Sequence, residues 1–232
     1  RIIAMNQHDL IPILPVPETV FFPNTIIPLY VVEPNYIKMI RKAKKEGGQI
    51  GVSLAEPVGE SRGVSKYSPR GIFGAGRPII VEELPDKTLR VLLQGTQRMK
   101  MVAIHQELPY LVFEAEALED LGDEGLTPLQ SQIERIVDIL DRWLEENIED
   151  SLERETFYQN LETLQNIVDY ACFFLIQDTD TRQLLLENCS LKERIQLVNS
   201  LLRSSEQLIE DSLVANAIKE YETIEKTAKL GH

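Results

Sequence analysis

Histidine is scarce: only His8, His105 and His232 occur in 232 residues, far apart and none at helical spacing from a second ligand, so no zinc pattern exists. Cysteine is nearly absent too, with Cys172 and Cys189 alone, which excludes a disulfide scaffold. Cys172 sits in IVDYACFFL and reads as a small buried hydrophobe in a reducing compartment. Long apolar runs are missing as well. The longest, ACFFLI, is far short of the roughly 20 residues a bilayer-spanning helix takes, and no basic leader followed by an apolar run opens the sequence. The expectation is a soluble, cytoplasmic protein with no membrane partner.

An excess of positive charge is the next absence. The formal net charge is -13, and its placement is uneven. Residues 1–120 balance 14 Lys or Arg against 14 Asp or Glu, whereas residues 121–232 carry 10 against 23. Such a field repels phosphate backbones and argues against nucleic acid as a partner. The local exception is KMIRKAKKEGG at 38–48. Its charges fall near a helix C-terminus, where they complement the dipole, so a solvated face is favoured over a binding patch.

Catalytic motifs are also lacking. GIFGAGRP at 71–78 has the glycines of a phosphate loop without the Lys-Ser/Thr that reaches phosphate and magnesium, and reads as a strand entrance. There is no G-x-S-x-G elbow, and the neighbours Ser65 and Lys66 lie in a polar loop with no orienting group. The acidic pairs Glu119/Asp120, Glu145/Glu146 and Glu149/Asp150 read as solvated faces or linkers. The inventory therefore points to no catalytic residues, no metal and no cofactor.

What is present divides into two patterns. Residues 10–34, LIPILPVPETVFFPNTIIPLYVVEP, combine strand-forming residues with Pro12, Pro15, Pro17, Pro23 and Pro28. Each proline deletes a backbone donor that a central strand needs, so the stretch is expected to be a sheet edge. EPNYIKMIRKAKKEGG then predicts a helix over 34–46, with Pro34 at its first turn and Gly47 as left-handed stop. QIGVSLA, IFGAGRPIIVEEL, TLRVLLQG, QRMKMVAI and PYLVFEAEAL follow as strands, LPDKT joining two of them as a turn. A curled sheet or partly closed barrel of six to eight strands is expected.

At LEDLGDEGLTP, residues 118–128, the apolar period changes from two to 3.6. Thr127, Pro128 and Gln130 read as a capping box, followed by a stripe from Leu129 to Leu144. A second helix is expected over 156–176 and a short third from Asp180 with Gln183. Ser190 with Glu193 opens a long C-terminal helix whose stripe slips in phase near Ser204. That helix either packs within a bundle of about four or pairs with a second copy, and periodicity does not choose. The fold class expected is α+β, with a β domain over residues 1–121 and an α-helical bundle over residues 122–232.

The order of these pieces resembles a known family. VFFPNTIIPLYVVEPNYIKMIRKA is similar to the opening of the N-terminal substrate-binding domain of Lon proteases. Gly74 in a strand entrance and a Gly95, Thr96, Gln97, Arg98 turn follow in that family's order, as does TRQLLLENCSLKERIQLVNSLL at 181–202. The resemblance covers roughly residues 10–205 and implies a PUA-like β domain followed by a helical bundle that engages substrate proteins. Lon proteases continue into an ATPase and a Ser-Lys peptidase, and neither motif occurs here. Two readings follow: a stand-alone, non-catalytic module that binds unfolded or damaged protein and serves a protease in trans, or the N-terminal part of a complete ATP-dependent Lon protease. Phe21, Phe22 and Pro23 are expected to form a turn at the sheet edge. Either both phenylalanines fill the core, or one is exposed and contacts polypeptide together with Ile72 and Phe73.

Overall fold

A computed structural model describes residues 8–61, 64–121 and 125–205. Among these, the chain forms two compact units: residues 8–23 with Leu29–Glu119, and Asn24–Pro28 with residues 120–205.

The first unit is strand-rich. β1 (Asp9–Val16), β3 (Ile50–Ser61), β5 (Ile72–Glu83), β6 (Leu89–Gln106) and β7 (Val112–Leu118) hydrogen-bond in the order β1-β7-β6-β5-β3, and β1 pairs with β3 to close the ring. β2 (Ile26–Val31), of which residues 29–31 belong to this unit, pairs with β6, and β4 (Val64–Pro69) forms a hairpin with β3.

β1 is therefore not the edge its prolines predict. Its first half runs antiparallel to β7, from Asp9↔Ala115 to Pro12↔Val112, and its second half parallel to β3, from Ile13↔Gly51 to Val16↔Leu54. The prolines survive because of strand alternation. The Ile13 amide donates to the Leu111 carbonyl at 2.9 Å, so odd-numbered residues aim their amides toward β7 and even-numbered ones toward β3. Pro12 lacks a donor on the β3 side before β3 is reached, and Pro15 lacks one on the β7 side after β7 has been left. For β2 the edge reading fits better, since β6 is its one neighbour among the described pairings.

Gly95–Arg98 is not a turn but the middle of β6, which runs unbroken for 18 residues. The register passes from Ala75↔Gln97 to Gly76↔Gly95, leaving Thr96 as the extra residue of a bulge, its hydroxyl donating to the Ala75 carbonyl at 3.0 Å. Such bulges bend the long strand and let the sheet curl into a ring. Ile11, Ile13, Phe73, Ala75, Met99 and Ala115 fill the interior.

Helix α1 (Pro34–Glu46) has the limits its sequence predicts. Gly47 adopts φ 66°, ψ 21°, and the Gly48 amide reaches back to the Ala43 carbonyl at 2.8 Å, closing the last turn.

In the second unit a 3-10 turn over Thr127–Leu129 precedes α2 (Gln130–Asn147), so Thr127 starts a tight turn instead of capping an α-helix. The single helix expected over 156–176 is two, α3 (Ser151–Asn160) and α4 (Leu164–Leu175). The break falls at Thr163, whose hydroxyl accepts from the Asn166 amide at 3.2 Å. A capping residue ends one helix's claim on the backbone and opens the next. α5 (Thr179–Glu187) is capped by Asp178, not Asp180, and α6 (Leu191–Ser205) by Ser190, which accepts from the Glu193 amide at 3.3 Å. The expected slip beyond Ser204, and any continuation of α6, lie outside the described residues.

Stripes from α2, α4 and α6 form the helical core. Trp143 packs against Phe174 with ring centroids 4.6 Å apart, and Leu191, Ile195, Val198 and Leu202 are buried along α6. Cys172 is buried and Cys189 half-buried, both as free thiols.

Candidate functional site

Phe21, Phe22 and Phe73 are all 0% exposed, Pro23 is buried and Ile72 half-buried. In this fold the aromatic residues proposed for polypeptide contact belong to the core. The reason is the path of the chain over β5. A Cβ at Gly74 would stand 2.0 Å from the Phe21 carbonyl oxygen, and one at Gly76 would stand 2.9 Å from the Phe21 ring. Gly74 and Gly76, two of the three glycines of GIFGAGRP, thus clear a bed for the Phe-Phe-Pro segment.

A more accessible feature lies at another place in the first unit, where α1 faces β1, β6 and β7. A cavity of about 310 Å³ opens there. Its apolar wall comes from Leu10 and Pro12 of β1, Met39 and Ala43 of α1, and Val112 of β7. Lys42, Glu46, Gln49, His105, Gln106 and Tyr110 add polar groups.

Each side is placed by local chemistry. Met39, Ala43 and Glu46 recur at helical spacing, so the buried face of α1 also presents its C-terminal turn to the cavity. Across from it the register of β6 and β7 passes from Ile104↔Phe113 to Gln106↔Val112, which makes His105 an extra residue on β6. A bulge of this kind re-aims a side chain, and His105 is both exposed and part of the lining. The Gln106 side-chain amide donates to the Tyr110 carbonyl at 3.0 Å and holds the β6–β7 connection.

Of the apolar lining residues Leu10 is 51% exposed, Pro12 and Val112 are half-buried, and Met39 and Ala43 are buried. The cleft lining contains no Ser, Thr or Cys beside His105. Among the described residues no group of three His, Cys, Asp or Glu could hold a metal ion, and no helix is long and apolar enough to cross a membrane. What this geometry can do is accept an apolar side chain and hydrogen-bond the chain that carries it.

The strongest electrostatic feature is in the helical unit and serves structure. Arg194, 0% exposed, donates to both carboxylate oxygens of Asp120 at 2.7 Å and to the Asn188 carbonyl at 2.9 Å, with Asp169 at 3.9 Å. Burial pulls the guanidinium pKa down, but hydrogen bonding to Asp120 and the charges of Asp169 and Asp120 together carry it above its ordinary value. Asp120 is accordingly a fixed partner and not the solvated linker acid its sequence implies. Leu121 continues the attachment, its amide donating to the Cys189 carbonyl at 2.8 Å.

Residues 10–204 match the family model described as the ATP-dependent protease La (LON) substrate-binding domain. The chain belongs to this family.

Among curated relatives, the Lon protease of Dictyoglomus thermophilum is 27% identical over 220 residues, covering 91% of this chain and 26% of that protein. The Lon protease of Flavobacterium johnsoniae is 27% identical over 194 residues, covering 82% of this chain and 24% of that protein. The chain thus spans about a quarter of the length of these Lon relatives. Two solved structures share the fold of the LON domain seen here. One is the Lon N-terminal domain protein of Xanthomonas campestris, with TM-score 0.57 and 20% identity over 83% of this chain and 98% of that one. The other is the N-terminal domain of the Mycobacterium avium complex Lon protease, with TM-score 0.58 and 16% identity over 82% of this chain and 96% of that one. Strand-rich β domain followed by helices, the α+β arrangement expected from the sequence, is the common architecture.

The cleft itself had little sequence signal. Leu10, Met39, His105 and Val112 come from four separate elements, and nothing in their local spacing announces that the fold brings them to one cavity.

Proposed function

We propose that this LON domain is a non-catalytic recognition module that binds exposed apolar segments of unfolded or damaged polypeptides, with the cleft beside α1 as the contact site. The observation that carries the reading is a cavity of about 310 Å³ with one apolar wall, which includes exposed Leu10, in a chain of the substrate-binding family. A cleft of that size takes one or two side chains, so affinity in the micromolar range or weaker is expected. Cleavage is supplied by other machinery, either a protease acting in trans in the cytoplasm or catalytic modules joined to this domain.

The test is fluorescence anisotropy of a labelled, permanently unfolded casein-type chain titrated with the protein. Saturable binding is expected, weakened about tenfold by Leu10→Asp, which places a charge on the apolar wall. Absence of binding at every concentration short of aggregation would sink the reading. Equal affinity of the variant would move the contact elsewhere on the domain.

A further inference from the structure

The cleft has a charged neighbour that polypeptide binding in general does not explain. Residues 34–49 contain Lys38, Arg41, Lys42, Lys44 and Lys45 against the single acid Glu46. Lys38, Lys42 and Lys45 stand at i, i+4 and i+7 and so share one face of α1. All three are exposed, none has an ion-pair partner among the described residues, and Lys42 also lines the cavity. Arg41, by contrast, is engaged with Glu83. Lys45 is close enough to the helix C-terminus for the dipole to offset part of its charge, but Lys38 and Lys42 lie further from it. Opposing charges near the site are Glu46 on the wall, exposed Asp9 beside Leu10 on β1 and exposed Glu107 on the β6–β7 connection, none of them on the Lys38–Lys42–Lys45 face of α1.

We propose that the cleft beside α1 selects apolar segments flanked by acidic residues, the apolar side chain entering the cavity and the carboxylates lying along the Lys38–Lys42–Lys45 face. This rests on the polypeptide-recognition reading and narrows its substrate class. The range of the effect is set by screening. At physiological salt the Debye length is about 8 Å, and an extended chain rises about 3.3 Å per residue, so acids within about two or three residues of the anchor are read. The net charge of -13 opposes any general attraction for acidic chains, which confines the preference to this cationic face.

The experiment uses the full chain and short fluorescein-labelled peptides that share one Leu-Phe-Leu core and differ only in flanking Glu, Ser or Lys. The expected result is about tenfold tighter binding of the Glu-flanked peptide than the Lys-flanked one at low salt, a difference of roughly 1.4 kcal/mol that shrinks as salt rises. In the triple variant Lys38→Glu, Lys42→Glu, Lys45→Glu the order should reverse. All three positions are exposed, and an unchanged thermal midpoint verifies folding. Equal affinity for the three peptides overturns the charge selection while leaving polypeptide recognition intact; no binding of any peptide removes both. Flank-independent peptide binding together with capture on phosphatidylserine vesicles, lost in the triple variant, would reassign the cationic face to anionic lipid.

Discussion

Gly74 illustrates how one missing side chain can set a whole path. With the Phe21 carbonyl oxygen 2.0 Å from where a Cβ would stand, Gly74→Ala must displace the Phe-Phe-Pro segment, and a loss of about 3 kcal/mol is expected in urea denaturation. Arg194→Met should cost a similar or larger amount, about 3–5 kcal/mol, because it leaves the Asp120 and Asp169 carboxylates without their cation. At Asp141 the sign is opposite. Burial, then repulsion from Asp138 and Glu145, raises its pKa above the usual 3.8, so ionisation costs stability in the folded state at neutral pH. Its favourable contribution is complete below the unfolded value and lost as pH rises through the raised folded value. Asp141→Asn should therefore stabilise the protein at pH 7, by roughly 0.5 kcal/mol for a partly exposed group and with a raised thermal midpoint, the gain vanishing in titrations below about pH 4. Asp120 was unreadable at this scale because its partner lies 74 residues away, whereas Gly47 was readable because its stop signal acts within one turn.

Elements obey the same division. The start and stop of α1 follow from Pro34 and Gly47, and Ser190 opens α6 as its spacing to Glu193 implies. The break before α4 leaves no mark in the apolar stripe, which continues in phase across it from Phe157 through Leu175. Only the Thr163 hydroxyl on the Asn166 amide marks the boundary. Thr163→Ala should lower stability by about 1 kcal/mol, and hydrogen exchange should quicken first in the opening turn of α4. β1 shows the converse limitation. Its prolines forbid a continuous ladder on either side, and the edge inferred from them is the commonest way to satisfy that restriction. Exchanging partners midway is the other, and it depends on where β3 and β7 arrive.

For the whole molecule the deciding quantities are charge and strand pairing. The acidic excess is confined to residues 121–232, so mutual repulsion burdens the helical unit most. Raising monovalent salt from low to moderate concentration should stabilise the protein by a few degrees in calorimetry, since screening relieves that repulsion. A fall in midpoint would instead mean that attractive pairs such as Arg41–Glu83 and Arg194–Asp120 dominate the balance. Pairing of the first half of β1 with β7 sets Leu10 and Pro12 beside Val112 in the wall of the cleft on which recognition is proposed to depend.

From its sequence alone the protein is an α+β chain of strand-rich half then helical half, ordered like a LON substrate-binding domain. Period, caps and turn residues act over a few positions, and those positions are contiguous. Tertiary structure alone decided that Phe21, Phe22 and Phe73 are interior, that Asp120 is tied to Arg194, and that a cleft with one apolar wall opens beside α1. Burial and pairing are settled by which distant segments meet, and that is a property of the closed ring and the packed helices, not of any stretch within them.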